Sequence, residues 1–249
     1  MKIIICPNYA EVSRRAARLI AREIMTNEYP SIGFATGSTP EGTYAELINL
    51  YKQGMISFED VMTFNLDEYI GASETDDYSY NVYMRKHLFG HVNLYEDNIN
   101  LLVGDAPNPE AEAFRFEKEI EVFGIDLQLL GIGANGHIGF NEPGTPFGTK
   151  TGVVNLSEKT IKDNARFFED ESKVPKQAIS MGIRTIMNAK KIVLIASGKN
   201  KAEAVKKMME GPVTEDVPAS VLQLHNDCTV ILDREAASLL NLKQYQEKI

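Results

Sequence analysis

His137 and Glu142 stand almost alone in a stretch of bare backbone, Gly131-Ile-Gly-Ala-Asn-Gly-His-Ile-Gly-Phe-Asn-Glu-Pro143. Four of its first nine residues are glycine, a density that suits neither a helix nor a strand. One imidazole and one carboxylate on a chain stripped of bulky side chains describe a close-approach site for a small polar ligand. An imidazole titrates near neutrality and can carry a proton in either direction. The plainer alternative is a surface loop in which His137 only bonds backbone.

Gly131-x-Gly133-x-x-Gly136 also matches the dinucleotide fingerprint. That fingerprint needs a helix opening at the third glycine, because the helix start holds the pyrophosphate. Gly139, Pro143, Gly144, Pro146 and Gly148 follow instead, and no helix runs through them. Nicotinamide and flavin binding are set aside.

A second group of chemically capable residues is Thr36-Gly-Ser-Thr-Pro-Glu41, between the apolar run Ser31–Ala35 and a helical pattern carrying Tyr44, Leu47, Ile48 and Tyr51. A strand, a hydroxyl-rich glycine turn and a helix start form a phosphate seat: free N–H groups and the positive dipole end face the anion. Thr36, Gly37, Ser38 and Thr39 are the candidates. Ser38-x-x-Glu41 with Pro40 is equally a capping box, which would spend the serine on the helix itself. No Gly-Lys-Ser/Thr closes the turn as in a nucleotide P-loop.

Asp67 and Glu68 follow the strand pattern Val61–Asn65, at the carboxyl end where open α/β sheets keep their ligands. Adjacent residues at a strand end point different ways, so one acid can face a cleft while the other does not. A solvated turn is the competing reading. Ser197-Gly-Lys-Asn-Lys201 repeats the strand–turn–helix arrangement with Lys199 and Lys201 at an unfavourable dipole end, which suggests a bound anion. In Asn164-Ala-Arg166-Phe-Phe the arginine is either a packed surface residue or the phosphate-binding tip of a mobile cover.

The elements that must position these groups alternate. Strand patterns occur at Lys2–Cys6, Ser31–Ala35, Val61–Asn65, Ile99–Val103, Ile125–Leu130, Val153–Leu156, Lys191–Ala196 and Cys228–Leu232. Helical patterns follow Asn8, Pro40 and Asp233, cover Tyr78–Phe89, Glu110–Phe123 and Ala202–Met209, and place the tyrosines near position 80 in the core. The alternation predicts an α/β fold of Rossmann-like kind: an open, mostly parallel sheet with helices on both faces, as one domain over 1–249.

The chain has 249 residues, 43% hydrophobic, with a net charge of −9. That acidity argues against nucleic-acid and anionic-membrane partners, so an anionic substrate needs a local basic pocket. Cys6 and Cys228 show no metal-ligand spacing, the run Ile3–Cys6 is too short for a signal core, and no apolar stretch could span a bilayer. A reduced, cytoplasmic setting is expected.

Taken together, Thr36–Pro40, Phe64–Tyr69, Asn135–Pro143, Ala165–Phe168 and Ser197–Lys201, in this order, resemble the glucosamine/galactosamine-6-phosphate isomerase family across essentially the whole chain. The 6-phosphogluconolactonases look similar through the glycine-rich loop and its His, but typically continue into Ser-Leu-Phe-Pro. Here Phe140-Asn-Glu-Pro143 is the deaminase form. The resemblance implies conversion of glucosamine 6-phosphate and water to fructose 6-phosphate and ammonia, in amino-sugar catabolism, with no cofactor and no metal. By the same resemblance His137 opens the sugar ring, Glu142 orients the imidazole or shares its proton, Asn135 orients His137, and Asp67 takes the C2 proton. Thr36, Gly37, Ser38, Thr39, Arg166 and Lys201 hold the phosphate.

Two departures stand out. Many relatives carry Asp where this chain has Asn135, which can orient His137 but cannot titrate. Allosteric hexameric relatives carry basic residues shortly after the Glu-Pro segment, where this chain holds only Lys150, with Gly152 and Val154 at the matching positions. No N-acetylglucosamine-6-phosphate activation is expected, and the assembly should be a monomer or small homo-oligomer. The competing functions are a lactonase-like hydrolase and a sugar-phosphate sensor.

Overall fold

The computed structural model describes residues 1–164, 168, 174–241 and 245. Its centre is a parallel sheet built from β1 (Lys2–Cys6), β2 (Ser31–Phe34), β3 (Met62–Asn65), β5 (Ile99–Asn100), β6 (Leu127–Leu130), β9 (Lys191–Ala196) and β10 (Cys228–Asp233). Their order is β1-β10-β9-β6-β2-β3-β5, and every described neighbour pair is parallel. The chain proceeds outward from β2 to β3 on one side and from β6 to β9 on the other. The loops leaving β2 and β6 therefore diverge, and a crevice opens between them at the carboxyl ends of the strands.

Alternation along the strands assigns the two faces. Leu127, Leu129, Val193 and Ile195 pack in one cluster with residues of α1 (Tyr9–Thr26) and α2 (Glu41–Lys52). Leu130, Ile192 and Leu194 pack in the other with α4 (Pro109–Phe123) and α7 (Ala202–Glu210). The predicted two-faced α/β architecture is what forms. Asn8 caps α1 by accepting from the Glu11 N–H at 3.0 Å, and Gly124, at φ 72°, ends α4.

Outside this sheet lies a small antiparallel one: β4 (Asp67–Tyr69), β8 (Gln177–Ser180) and β7 (Gly152–Asn155), with β8 in the middle; β7 is the strand expected over Val153–Leu156, while β4 and β8 are not among the expected strands. Asp67 pairs with Ser180, and Val153 with Ile179. Four further expectations change. The helix expected over Tyr78–Phe89 is α3 (Tyr80–His87), capped by Ser79. The strand expected over Ile99–Val103 is cut to two residues, and consecutive turns replace the helix after Asp233. The capping box at Ser38 does not form: Pro40 is the cap residue of α2 and no side chain caps it.

Among the described residues, no helix is long and apolar enough to cross a membrane.

Candidate active site

The loop after β6 folds back on itself. The Gly133 N–H donates to the His137 carbonyl at 2.9 Å, and the Gly136 N–H to the Gly133 carbonyl at 3.0 Å. The turn lays the imidazole against Gly133 so closely that a Cβ there would overlap the ring. Asn135 links the two chemical groups: its Oδ1 accepts the His137 N–H at 3.2 Å and its Nδ2 donates to Glu142 Oε2 at 2.7 Å. That same oxygen lies 3.6 Å from His137 Nδ1, an ion-pair distance rather than a hydrogen bond. The other oxygen accepts from Ser157 at 3.1 Å and, in a short bond, from Thr160 on α5 (Glu158–Asn164). Burial pushes the Glu142 carboxyl upward, but His137, Thr160 and Asn135 outweigh it and bring it down to about 2. Glu142 is therefore a fixed anion behind the imidazole.

Asp67 reaches the same place from the small sheet. Its residue is 6% exposed and lines the cleft, while Glu68 turns the other way. Glu68 accepts backbone N–H groups from Tyr69 at 2.9 Å, Tyr80 at 2.9 Å and Asn81 at 3.2 Å, which ties β4 to the first turn of α3. Period-two geometry thus separates the two acids, one to the cleft and one to the scaffold. Burial, then the neighbouring Glu68, raises the Asp67 carboxyl from 3.8 to about 8. Glu68 itself rises to about 7 through burial, against three lowering backbone bonds. The His137 loop closes on Asp67: a Cβ built on Gly139 would lie 3.6 Å from Asp67 Oδ2.

The third wall is the turn after β2. Gly37 takes φ 92°, which only glycine adopts without strain, and Thr36, Gly37, Ser38 and Thr39 all line the cleft. Lys201 enters from the start of α7, where its ammonium donates to the Ile132 carbonyl at 2.8 Å. Arg166 lies outside the described residues. Lys199 is exposed and does not line the cleft. At the Ser197–Gly198 turn the Asp233 carboxylate accepts from the Ser197 hydroxyl and from the Gly198 N–H at 3.0 Å.

The enclosed space is about 520 Å³, ample for a phosphorylated hexose. Tyr78, Tyr80 and Tyr83 line it, which corrects their assignment to the core alone. Thr160 also lines it, a residue that sequence reasoning passed over. The Ser157-x-x-Thr160 pattern reads locally as a helix start, and the Ser157 hydroxyl does accept the Thr160 N–H at 3.1 Å. Its second use, on Glu142, is visible only in three dimensions. Among the described residues, no group of three or more His, Cys, Asp or Glu is arranged to hold a metal ion.

A cleft with an imidazole–carboxylate couple, a buried aspartate and a donor-rich turn can open a hemiacetal, move a carbon-bound proton and hold an anion. Comparison with known proteins narrows the class. A family described as glucosamine-6-phosphate isomerases/6-phosphogluconolactonase matches residues 8–231. The chain belongs to this family. Within the family, a glucosamine-6-phosphate deaminase of Thermoanaerobacter sp. (strain X514) is 53% identical over 241 residues, spanning 96% of this chain and 95% of the relative. One of Clostridium botulinum (strain Langeland / NCTC 10281 / Type F) is 50% identical over 244 residues, covering 98% and 100%. A solved structure of a monomeric glucosamine-6-phosphate deaminase superposes with a TM-score of 0.95 at 49% identity, over 96% of this chain and 100% of the other. The 6-phosphogluconolactonase of Trypanosoma cruzi gives 0.75 at 23% identity, over 96% and 97%, a likeness of fold alone.

Proposed function

We propose that this family member converts glucosamine 6-phosphate and water into fructose 6-phosphate and ammonia. The observation that carries the reading is the meeting of Asp67 and the His137–Glu142 couple in the cleft that the Thr36–Thr39 turn also lines. Deaminase relatives near 50% identity point to the same substrate.

In this reading the phosphate sits on the Thr36, Gly37, Ser38 and Thr39 turn, with Lys201 and Arg166 as cations. His137 moves a proton from the anomeric hydroxyl to the ring oxygen, and the C1 aldehyde is freed. Glu142, held anionic and linked to the loop through Asn135, stabilises the imidazolium that forms in passing. Asp67 then takes the proton from C2, and the electron pair left behind forms the C1–C2 double bond as the C1 oxygen gains a proton. Return of a proton to C1 gives an imine at C2, water adds to it, and ammonia leaves. A carboxyl raised to about 8 is mostly neutral at pH 7 in the free protein. A substrate ammonium beside it favours the carboxylate, so the amino sugar helps to generate its own base.

We also infer a monomer, in line with the relative described as monomeric, and a cytoplasmic setting, where charged sugar phosphates are retained and the buried free thiols Cys6 and Cys228 stay reduced. The test is release of ammonia from glucosamine 6-phosphate, with Asp67→Asn alongside. Acid formation from 6-phosphogluconolactone without ammonia from the amino sugar would overturn it.

A further inference from the structure

The Thr36–Thr39 turn is held from behind by tyrosine hydroxyls. The Tyr83 hydroxyl donates to the Gly37 carbonyl at 2.6 Å. The Tyr9 hydroxyl lies 3.1 Å from the Thr39 carbonyl and 3.3 Å from that of Ser38, and accepts the Gly42 N–H at 2.8 Å. Tyr44 closes the entry to the turn, bonding both the carbonyl and the N–H of Ala35. The acceptors at positions 35, 37, 38 and 39 are thus engaged by phenols from three different helices or their first turns. The backbone N–H groups of Thr36, Gly37, Ser38 and Thr39 donate to no acceptor among the described residues.

This asymmetry has a physical consequence. A peptide plane whose oxygen is fixed on one side has its N–H neighbours fixed on the other. Unfilled donors at a helix start bind an anion best when they need no reorganisation to converge on it. We propose that Tyr9 and Tyr83 are positioning residues for phosphate: they take the turn's carbonyls and so hold its N–H groups ready for the anion. This rests on the reading above that the turn is the phosphate seat. The two residues do unequal duty. Tyr83 lines the cleft and could also touch the sugar, whereas Tyr9 is 36% exposed, lies outside the cleft and can act only through the turn.

The test uses the intact protein, inorganic phosphate as a competitive probe and glucosamine 6-phosphate as substrate, with Tyr9→Phe, Tyr83→Phe and the double variant. Each lost hydroxyl should raise the phosphate inhibition constant and KM together, by about three- to tenfold, with kcat within about twofold. Ser38→Ala, which removes a direct hydroxyl donor, serves as the control for the seat itself. Weaker phosphate binding in Ser38→Ala with unchanged binding in Tyr9→Phe overturns the positioning role and leaves the seat standing. Unchanged phosphate binding in all of the variants overturns both. A fall in kcat at constant KM in Tyr9→Phe also overturns the proposal, since it would place the effect on chemistry.

Discussion

The imidazole of His137 occupies the space that a side chain at position 133 would need. The ring is positioned by the absence of an atom as much as by any bond. Gly133→Ala should force the ring or the turn to shift. We expect kcat to fall at least about tenfold with a stability loss of about 1–3 kcal/mol, read from steady-state rates and denaturant unfolding. An alanine variant with wild-type turnover would show that the ring need not lie there.

Asp67 gives a prediction about stability as well as rate. Asp67→Asn should cut ammonia release by about 10²–10⁴-fold while the fold persists. In the unliganded protein the carboxyl is raised from 3.8 to about 8, so the folded state binds its proton more tightly than the unfolded chain does. Stability from this group is full below pH 3.8 and falls as pH rises toward 8. Glu68, raised from 4.5 to about 7, adds a slope of the same sign. Asp67→Asn should therefore melt above the wild type at pH 8, with the gap narrowing toward pH 4. A gap that widens in acid would contradict burial as the cause.

Glu142 has the opposite sign. Its folded value of about 2 lies below 4.5, so its stabilisation is present above pH 4.5 and is lost as pH falls toward 2. Thr160 helps to hold that anion. Thr160→Val should lower kcat about tenfold, while Thr160→Ser, which keeps the donor, should retain most of it. Equal losses in the two variants would point to packing of α5 instead.

Asn135 sits 2.7 Å from Glu142 as a donor. Asn135→Asp would set two carboxylates at that distance, so they must share a proton or place an added negative charge beside the imidazole. The pH profile of turnover should move upward. A profile left where it was would remove Asn135 from the electrostatics of His137.

Regulation is the fifth test. Lys150, the one cation in Gly148–Val154, is already 2.5 Å from Glu121 and 3.8 Å from Glu117. Rate against glucosamine 6-phosphate should be hyperbolic and unchanged by N-acetylglucosamine 6-phosphate. A sigmoidal curve that the effector relaxes would refute this.

Local pattern was enough for the scaffold and for half of the site. Short apolar runs alternating with amphipathic ones specify parallel strands with helices on both faces, because burial on each face writes itself into the sequence at a fixed period. The His137–Glu142 loop is legible for the same reason: Gly131, Gly133, Gly136 and Gly139 exclude regular structure around two ionisable groups. What tertiary structure alone decided depends on segments far apart in the chain. β4 gains its partner 113 residues later, where Asp67 meets Ser180, and that pairing turns a presumed strand end into the wall that buries the aspartate. The phenols of Tyr9 and Tyr83 find carbonyls 29 to 46 residues away, and Asp233 accepts the Gly198 N–H from 35 residues on. Periodicity reports which side of an element is buried. It carries no record of which distant oxygen or hydroxyl will stand opposite, because that is chosen only when the packed chain satisfies its buried polar groups.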